Sequence, residues 1–174
     1  MIMKGIKVNL EIYGEGPESA VLKNYVSEQR LSEYVNFKGN RKLNELKQAY
    51  KDAHFQVLVS KSEGWPKAVA EAMFFGCIPI ATSVSCVPWM LGEGSRGVLI
   101  APPDKNSEAN VEERIEEIVN DIVMQVENPD EMRRMSLEAQ KWSQEYTLEK
   151  FETAILDVLA HSRIVTLEQQ EDKG

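Results

Sequence analysis

Two glutamates eight positions apart, Glu63 and Glu71, flank the junction where an apolar run gives way to a helix-like one. The run Phe55 to Val59 meets the turn Ser60-Lys61-Ser62-Glu63-Gly64-Trp65-Pro66, and Lys67-Ala68-Val69-Ala70-Glu71-Ala72-Met73 follows up to Gly76. This is a strand, a loop and a helix whose N-terminus faces the loop. Backbone N–H groups at such a terminus lack intrahelical partners and favour an anion such as a phosphate. Taken singly, each acid has an ordinary explanation. Glu63 is a first-turn acid, stabilising by about 0.3–1 kcal/mol. Glu71 is a solvated helix residue with Lys67 four residues earlier as its partner. Together they suggest more. The small residues Ala68, Ala70 and Ala72 let the helix approach the sheet, so both carboxylates can line one cleft. A carboxylate that accepts from two vicinal hydroxyls suits a ribose or a sugar ring.

The surrounding pattern supplies a frame for such a site. Lys7 to Tyr13 alternates apolar and polar residues as a strand does, and Gly14-Glu15-Gly16-Pro17 turns the chain. Pro17 opens a helix with a stripe of Ala20, Val21, Tyr25 and Val26. Tyr34 to Lys38 reads as a strand and Leu43 to Ala53 as a helix. Phe55 to Ser60 is a strand, Pro66 to Phe75 a helix and Ile78 to Thr82 a strand. A helical turn near Pro88 to Leu91 leads to a strand at Gly97 to Ala101. Alternating elements with nearly continuous apolar strands predict a parallel sheet covered by helices on both faces. Its carboxyl edge is where a ligand would bind. Three further helices are predicted, Val111 to Glu127, Asn128 to about Ser143 and Leu148 to about Ser162. Residues 1–165 read as one domain and 166–174 as a disordered polar tail.

Composition narrows the function. A chain of 174 residues with 43% hydrophobic content has the size of one packed domain. No apolar run approaches the roughly 20 residues that span a bilayer, and no signal-like h-region follows Met1. A net charge of -8 argues against nucleic acid as a partner. Cys77 and Cys86 read as free thiols in a reducing cytoplasm. Neither is spaced with His54 or His161 as a metal site would be, so no metal is expected. Trp65 could stack on a sugar or base, or plug the space between helix and sheet.

The segment from Glu63 to Thr82 resembles the nucleotide-sugar-binding half of retaining glycosyltransferases of the group 1 type (family 4, GT-B fold). Glu63, Gly64, Trp65 and Pro66 match the start of that family's signature, Glu71, Ala72, Met73, Gly76 and Pro79 its middle, and Ala81-Thr82 its end. Leu10 to Pro17 looks like the family's L-x-I-x-G-x-G-P turn, Val35 to Gly39 like V-x-F-x-G, and Gly97 to Ile100 with Asp104 like its last strand. Ser85-Cys86 stands where the family often has Gly-Gly.

The resemblance implies a Rossmann-like α/β domain, the C-terminal half of a GT-B glycosyltransferase, with extra C-terminal helices. It implies roles as well. Glu71 would accept from the ribose hydroxyls. Glu63, nearest to catalysis, would hold the donor sugar hydroxyls, with Gly64 and Trp65 offering backbone N–H groups to sugar or phosphate. Lys38, Gly39 and Asn40 would lie near the base, and Gly14 and Gly16 would let the backbone approach the donor. The substrate would be a UDP- or GDP-sugar, with no further cofactor and no metal. The absence of an Asp-x-Asp motif agrees. The acceptor would be a hydroxyl of a glycan or lipid-linked molecule, in polysaccharide or cell-envelope glycan synthesis, in the cytoplasm or at the inner face of the membrane.

In the family this half begins with a strand and an Arg/Lys clamp on the diphosphate, and an acceptor-binding N-terminal domain precedes it. Here those parts are expected to be missing, with little or no transfer by this chain alone. The exposed C-terminal helices are expected to meet the missing domain or to form a homodimer. Two other readings compete. One is a non-catalytic, flavodoxin-like nucleotide-binding module, in which only Glu71 matters. The other is a sugar-nucleotide epimerase, which needs a histidine in the cleft, whereas His54 stands at the wrong end of its strand.

Overall fold

The computed structural model describes residues 5–102 and 111–171, with the side chains of 111–114 and 162–171 excepted. Asp104 lies outside the described residues. The chain runs β1 (Leu10–Tyr13), α1 (Ser19–Glu28), β2 (Val35–Gly39), α2 (Leu43–Asp52), β3 (Phe55–Leu58), α3 (Lys67–Phe74), β4 (Ile78–Thr82), α4 (Val87–Met90), β5 (Val98–Ile100), α5 (Val111–Val126), α6 (Pro129–Ser143) and α7 (Leu148–Glu171). Every strand pairing is parallel. The parallel α/β architecture is the one the alternating pattern predicts, and it agrees with the Rossmann-like domain that the resemblance implies.

The sheet is divided, however. β1 pairs with β2, and β3, β4 and β5 pair in that order, but β1 and β3 do not pair. A doubly wound sheet has the order 3-2-1-4-5-6. The order β2-β1 fits its first two places and β3-β4-β5 its last three. Among the described residues no strand occupies the place between, which leaves one edge of β1 and one of β3 without a ladder. β1 is also shorter than the predicted Lys7 to Tyr13, because its partner β2 begins only at Val35 and the alternation before Leu10 has nothing to pair with.

The core lies in the second half. All five residues of β4 are buried. Ala81 faces Val69, Met73, Val87, Met90, Leu91 and Ala139, so α3, α4 and α6 cover one side. Ile80 packs with Val98 and Ile100 against Ile118 and Ile122 of α5 on the other. The period-two alternation of a strand delivers these neighbours to opposite layers. By contrast, no residue from 5 to 65 is fully buried.

Local chemistry sets the helix ends. α3 closes in a Schellman motif: Cys77 N–H donates to Ala72 O at 3.0 Å, Gly76 N–H donates to Met73 O at 3.0 Å, and Gly76 takes φ of +79. α6 reinforces that end, with Ser136 Oγ donating to Gly76 O at 2.6 Å and Gln140 Nε2 to Phe74 O at 3.2 Å. Asn128 Oδ1 caps α6 by accepting from Glu131 N–H at 3.2 Å, and Pro129 follows as the first helical residue.

The last helix, expected to end near Ser162, runs on as α7 to Glu171. No glycine or proline stands between Tyr146 and Gly174 to stop it, and Glu, Gln and Leu favour the helix. Leu148, Phe151, Ile155 and Val158 are exposed on α7 at the spacing of one helical stripe. Among the described residues no helix is long and apolar enough to cross a membrane.

Candidate functional site

β3 delivers the chain to the loop that carries Glu63, Gly64 and Trp65. Pro66 ends the loop in extended geometry (φ -73, ψ 92), and no side chain caps the first turn of α3. That helix end therefore presents its N–H groups at the carboxyl end of a parallel strand, a favourable place for an anion. Glu63, in the loop before that end, and Glu71, the fifth residue of α3, are both half-buried.

Glu71 is not paired with Lys67, the partner that helical spacing offered; no ion pair joins them among the described residues. It faces α2 instead, beside the phenol of Tyr50. Burial first, and the Glu71 carboxylate second, push that phenol up to about 12. Stacking on Phe75, with ring centroids 6.3 Å apart, holds the Tyr50 ring.

The Trp65 side chain packs. Its ring lies 6.0 Å from Trp89, 6.3 Å from Trp142 and 5.6 Å from Tyr146, centroid to centroid. Arg96 stands over Trp142 at 4.9 Å and donates to Met90 O at 2.9 Å and Trp89 O at 2.7 Å. Desolvation in this cluster lowers the Arg96 pKa. The cluster anchors the loop from its far side while leaving Trp65 42% exposed.

A second group gathers at the carboxyl ends of β1 and β2. Gly14 N–H donates to Gly39 O at 2.9 Å, and both glycines take positive φ, +99 and +65, which a side chain would strain. Gly16 N–H donates to Ser19 Oγ at 3.0 Å. Lys38 Nζ lies 2.9 Å from Glu11 Oε1, and Asn40 is exposed. The Tyr13 hydroxyl first, and Lys38 second, hold the Glu11 carboxyl below its usual range. Gly14, Gly16, Lys38, Gly39 and Asn40 thus form one cluster, and Glu63, Gly64, Trp65 and Glu71 another. Among the described residues no hydrogen bond or ion pair joins the two clusters. An open cavity of about 280 Å³, lined by Glu93, Gly97, Asp121, Gln125 and Met135 among others, holds none of these residues. Among the described residues no three histidine, cysteine or acidic side chains gather as a metal site.

Residues 2–142 match the family model of glycosyl transferases group 1. The chain belongs to that family. An uncharacterized glycosyltransferase of Haemophilus influenzae is 30% identical over 142 residues, which are 82% of this chain and 37% of that protein. One from Methanocaldococcus jannaschii is 27% identical over 118 residues, 68% of this chain and 32% of the relative. The chain thus spans about a third of the curated glycosyltransferases it matches. Among solved structures, the GtfA/B complex superposes with a TM-score of 0.74 at 24% identity, over 89% of this chain and 30% of that one. Anabaena HepE, crystallised with UDP and glucose, gives 0.72 at 19% identity, over 88% and 41%. These likenesses establish the fold, the Rossmann-like half of a GT-B glycosyltransferase.

Two contacts of this group 1 glycosyltransferase chain have no local sequence pattern behind them. Tyr50 beside Glu71 is one, and a hydrogen bond from the Cys86 thiol to Gly64 O is the other. Each partner is remote in sequence, and the only signal was the cysteine standing where the family often has glycine.

Proposed function

We propose that this chain forms the nucleotide-sugar-binding part of a retaining glycosyltransferase. The observation that carries the reading is the uncapped N-terminus of α3, with the half-buried Glu63 in the loop before it and Glu71 within the helix, in a chain of the group 1 family. Glu71 accepts from the ribose hydroxyls, and Tyr50 holds its carboxylate from α2. Glu63 holds the hydroxyls of the donor sugar. Gly64 and Trp65 offer N–H groups to sugar or phosphate. Gly14 and Gly16 leave room for the donor, and Lys38, Gly39 and Asn40 flank the base.

The donor is a UDP- or GDP-sugar, and the acceptor is a hydroxyl of a glycan or lipid-linked molecule. The sugar–diphosphate bond breaks while the acceptor oxygen bonds the same face of the anomeric carbon. The departing phosphate takes the acceptor proton, so configuration is kept without a protein nucleophile or a metal. The helix end at α3 favours the charge that grows on the leaving diphosphate. The acceptor-binding part of the enzyme covers the exposed stripe on α7, and this chain alone transfers little.

Ligand-observed NMR with UDP, GDP, ADP and their sugars tests the reading, with UDP first because HepE was crystallised with it. One nucleotide binds selectively and Glu71→Ala abolishes it. Binding that survives Glu71→Ala overturns the ribose role. Failure of every nucleotide, both with this chain and with one extended at its N-terminus, overturns the donor site.

A further inference from the structure

The carbonyl of Gly64 has a partner from the next loop of the fold. The thiol of Cys86 donates to it over 2.8 Å. Cys86 is the N-cap of α4 and follows Ser85, a non-glycine residue at φ of +51. Its sulfur also lies 3.8 Å from Met90 Sδ, one helical turn on. The thiol therefore ties the β3–α3 loop to α4. The loop is tied to the same element a second time, through the Trp65 ring against Trp89.

A thiol at this place has a directional effect. The described chain contains no cis peptide, so the peptide joining Gly64 to Trp65 is planar and trans. In such a unit the N–H points opposite to the C=O. Holding the Gly64 carbonyl on Cys86 turns the Trp65 N–H away from α4. No group accepts from that N–H among the described residues. It is a free donor whose direction is set from behind.

We propose that Cys86 is a positioning residue, whose thiol aims the Trp65 backbone N–H at the anionic part of the donor. This rests on the donor-site reading above and deepens it. Serine keeps a donor at the same place, whereas alanine removes it with little change of bulk.

The test uses the 174-residue chain as wild type, Cys86→Ala, Cys86→Ser and Glu71→Ala. Amide chemical shifts and exchange rates of Gly64 and Trp65 are followed without ligand, and the affinity for UDP-glucose and GDP-mannose is measured by titration. Cys86→Ala moves both amides and leaves those of Met135 and Ala139 in place. It weakens the sugar nucleotide that binds by about tenfold, the worth of one well-aimed hydrogen bond. Cys86→Ser restores the shifts and brings affinity to within about twofold of wild type. Unmoved Gly64 and Trp65 amides in Cys86→Ala overturn the proposal, as does unchanged affinity or a serine that fails to rescue. Failure to bind either nucleotide, both by the wild-type chain and by one extended at its N-terminus, overturns the donor reading and the ligand half of this proposal, while the amide response still decides whether Cys86 holds the peptide.

Discussion

Gly76 has little freedom to be anything else. Its φ of +79 completes the Schellman turn of α3, and an added Cβ would stand 3.1 Å from Ser136 Oγ. Gly76→Ala should cost about 1–2 kcal/mol through the left-handed backbone, with a further cost from the crowded serine. Urea denaturation measures it, and a loss below about 0.5 kcal/mol would show that the turn relaxes. The next residue carries a pH effect. Burial pushes the Cys77 thiol up to about 12 from its ordinary 9.0. Above pH 9 the unfolded chain releases this proton and the native chain keeps it, so stability falls as pH rises toward 12. Tyr13 and Tyr50, both pushed up to about 12 from 10.0, add to that fall from pH 10 upward. The destabilisation caused by Cys77→Ala should therefore be larger at pH 8 than at pH 10.5, and denaturant melts at both pH values would decide it. At this scale the sequence was legible where chemistry repeats at short range. The end of α3 at Gly76 could be read from spacing alone. The contacts of Tyr50 with Glu71 and of Cys86 with Gly64 could not, because each crosses more than twenty residues and no local pattern encodes it.

Helices α3 and α6 meet through small side chains, and that closeness has a cost for any enlargement. Ala139 is fully buried against the cluster around Met73 and Ala81. Ala139→Leu should destabilise by about 1–3 kcal/mol through overpacking. Leu137, on the same helix but 58% exposed, should tolerate alanine within about 0.5 kcal/mol. Thermal melts of the two variants separate a buried face from a solvated one, and equal effects would contradict the orientation of α6. Element ends were legible where a residue enforces them. Asn128-Pro129 marks the start of α6, and β4 falls on Ile78 to Thr82 as its apolar run predicts. They were not legible where a partner decides. β1 begins at Leu10 rather than Lys7 because β2 offers nothing earlier, and α7 outlasts its apolar stripe because helix formers continue with no stop signal.

The whole molecule is uneven. Among the described residues everything fully buried falls within Pro66 to Ser143, while residues 5–65 contribute only half-buried and exposed positions. The divided sheet gives the physical reason. A strand with one open edge leaves about half its backbone groups without a ladder partner, and among the described residues β1 and β3 both have such an edge. Alternation of strands and helices revealed the fold class in the sequence, yet continuity of the sheet depends on which edges meet, and hydrophobic pattern does not encode that. Opening free energy follows buried contact, so the β1–β2 unit should open well before the β4 core does. Native-state hydrogen exchange gives the ordering directly. Amides of Ile78–Thr82 should exchange last, at the free energy of global unfolding, except Pro79, which has none. Those of Leu10–Tyr13 should exchange faster by at least tenfold, a gap of about 1.4 kcal/mol. A nucleotide bound across both clusters would narrow this gap, because it stabilises only the closed form. Equal exchange from β1 and β4 without ligand would mean that the two sheets fold as a single cooperative unit despite the missing ladder.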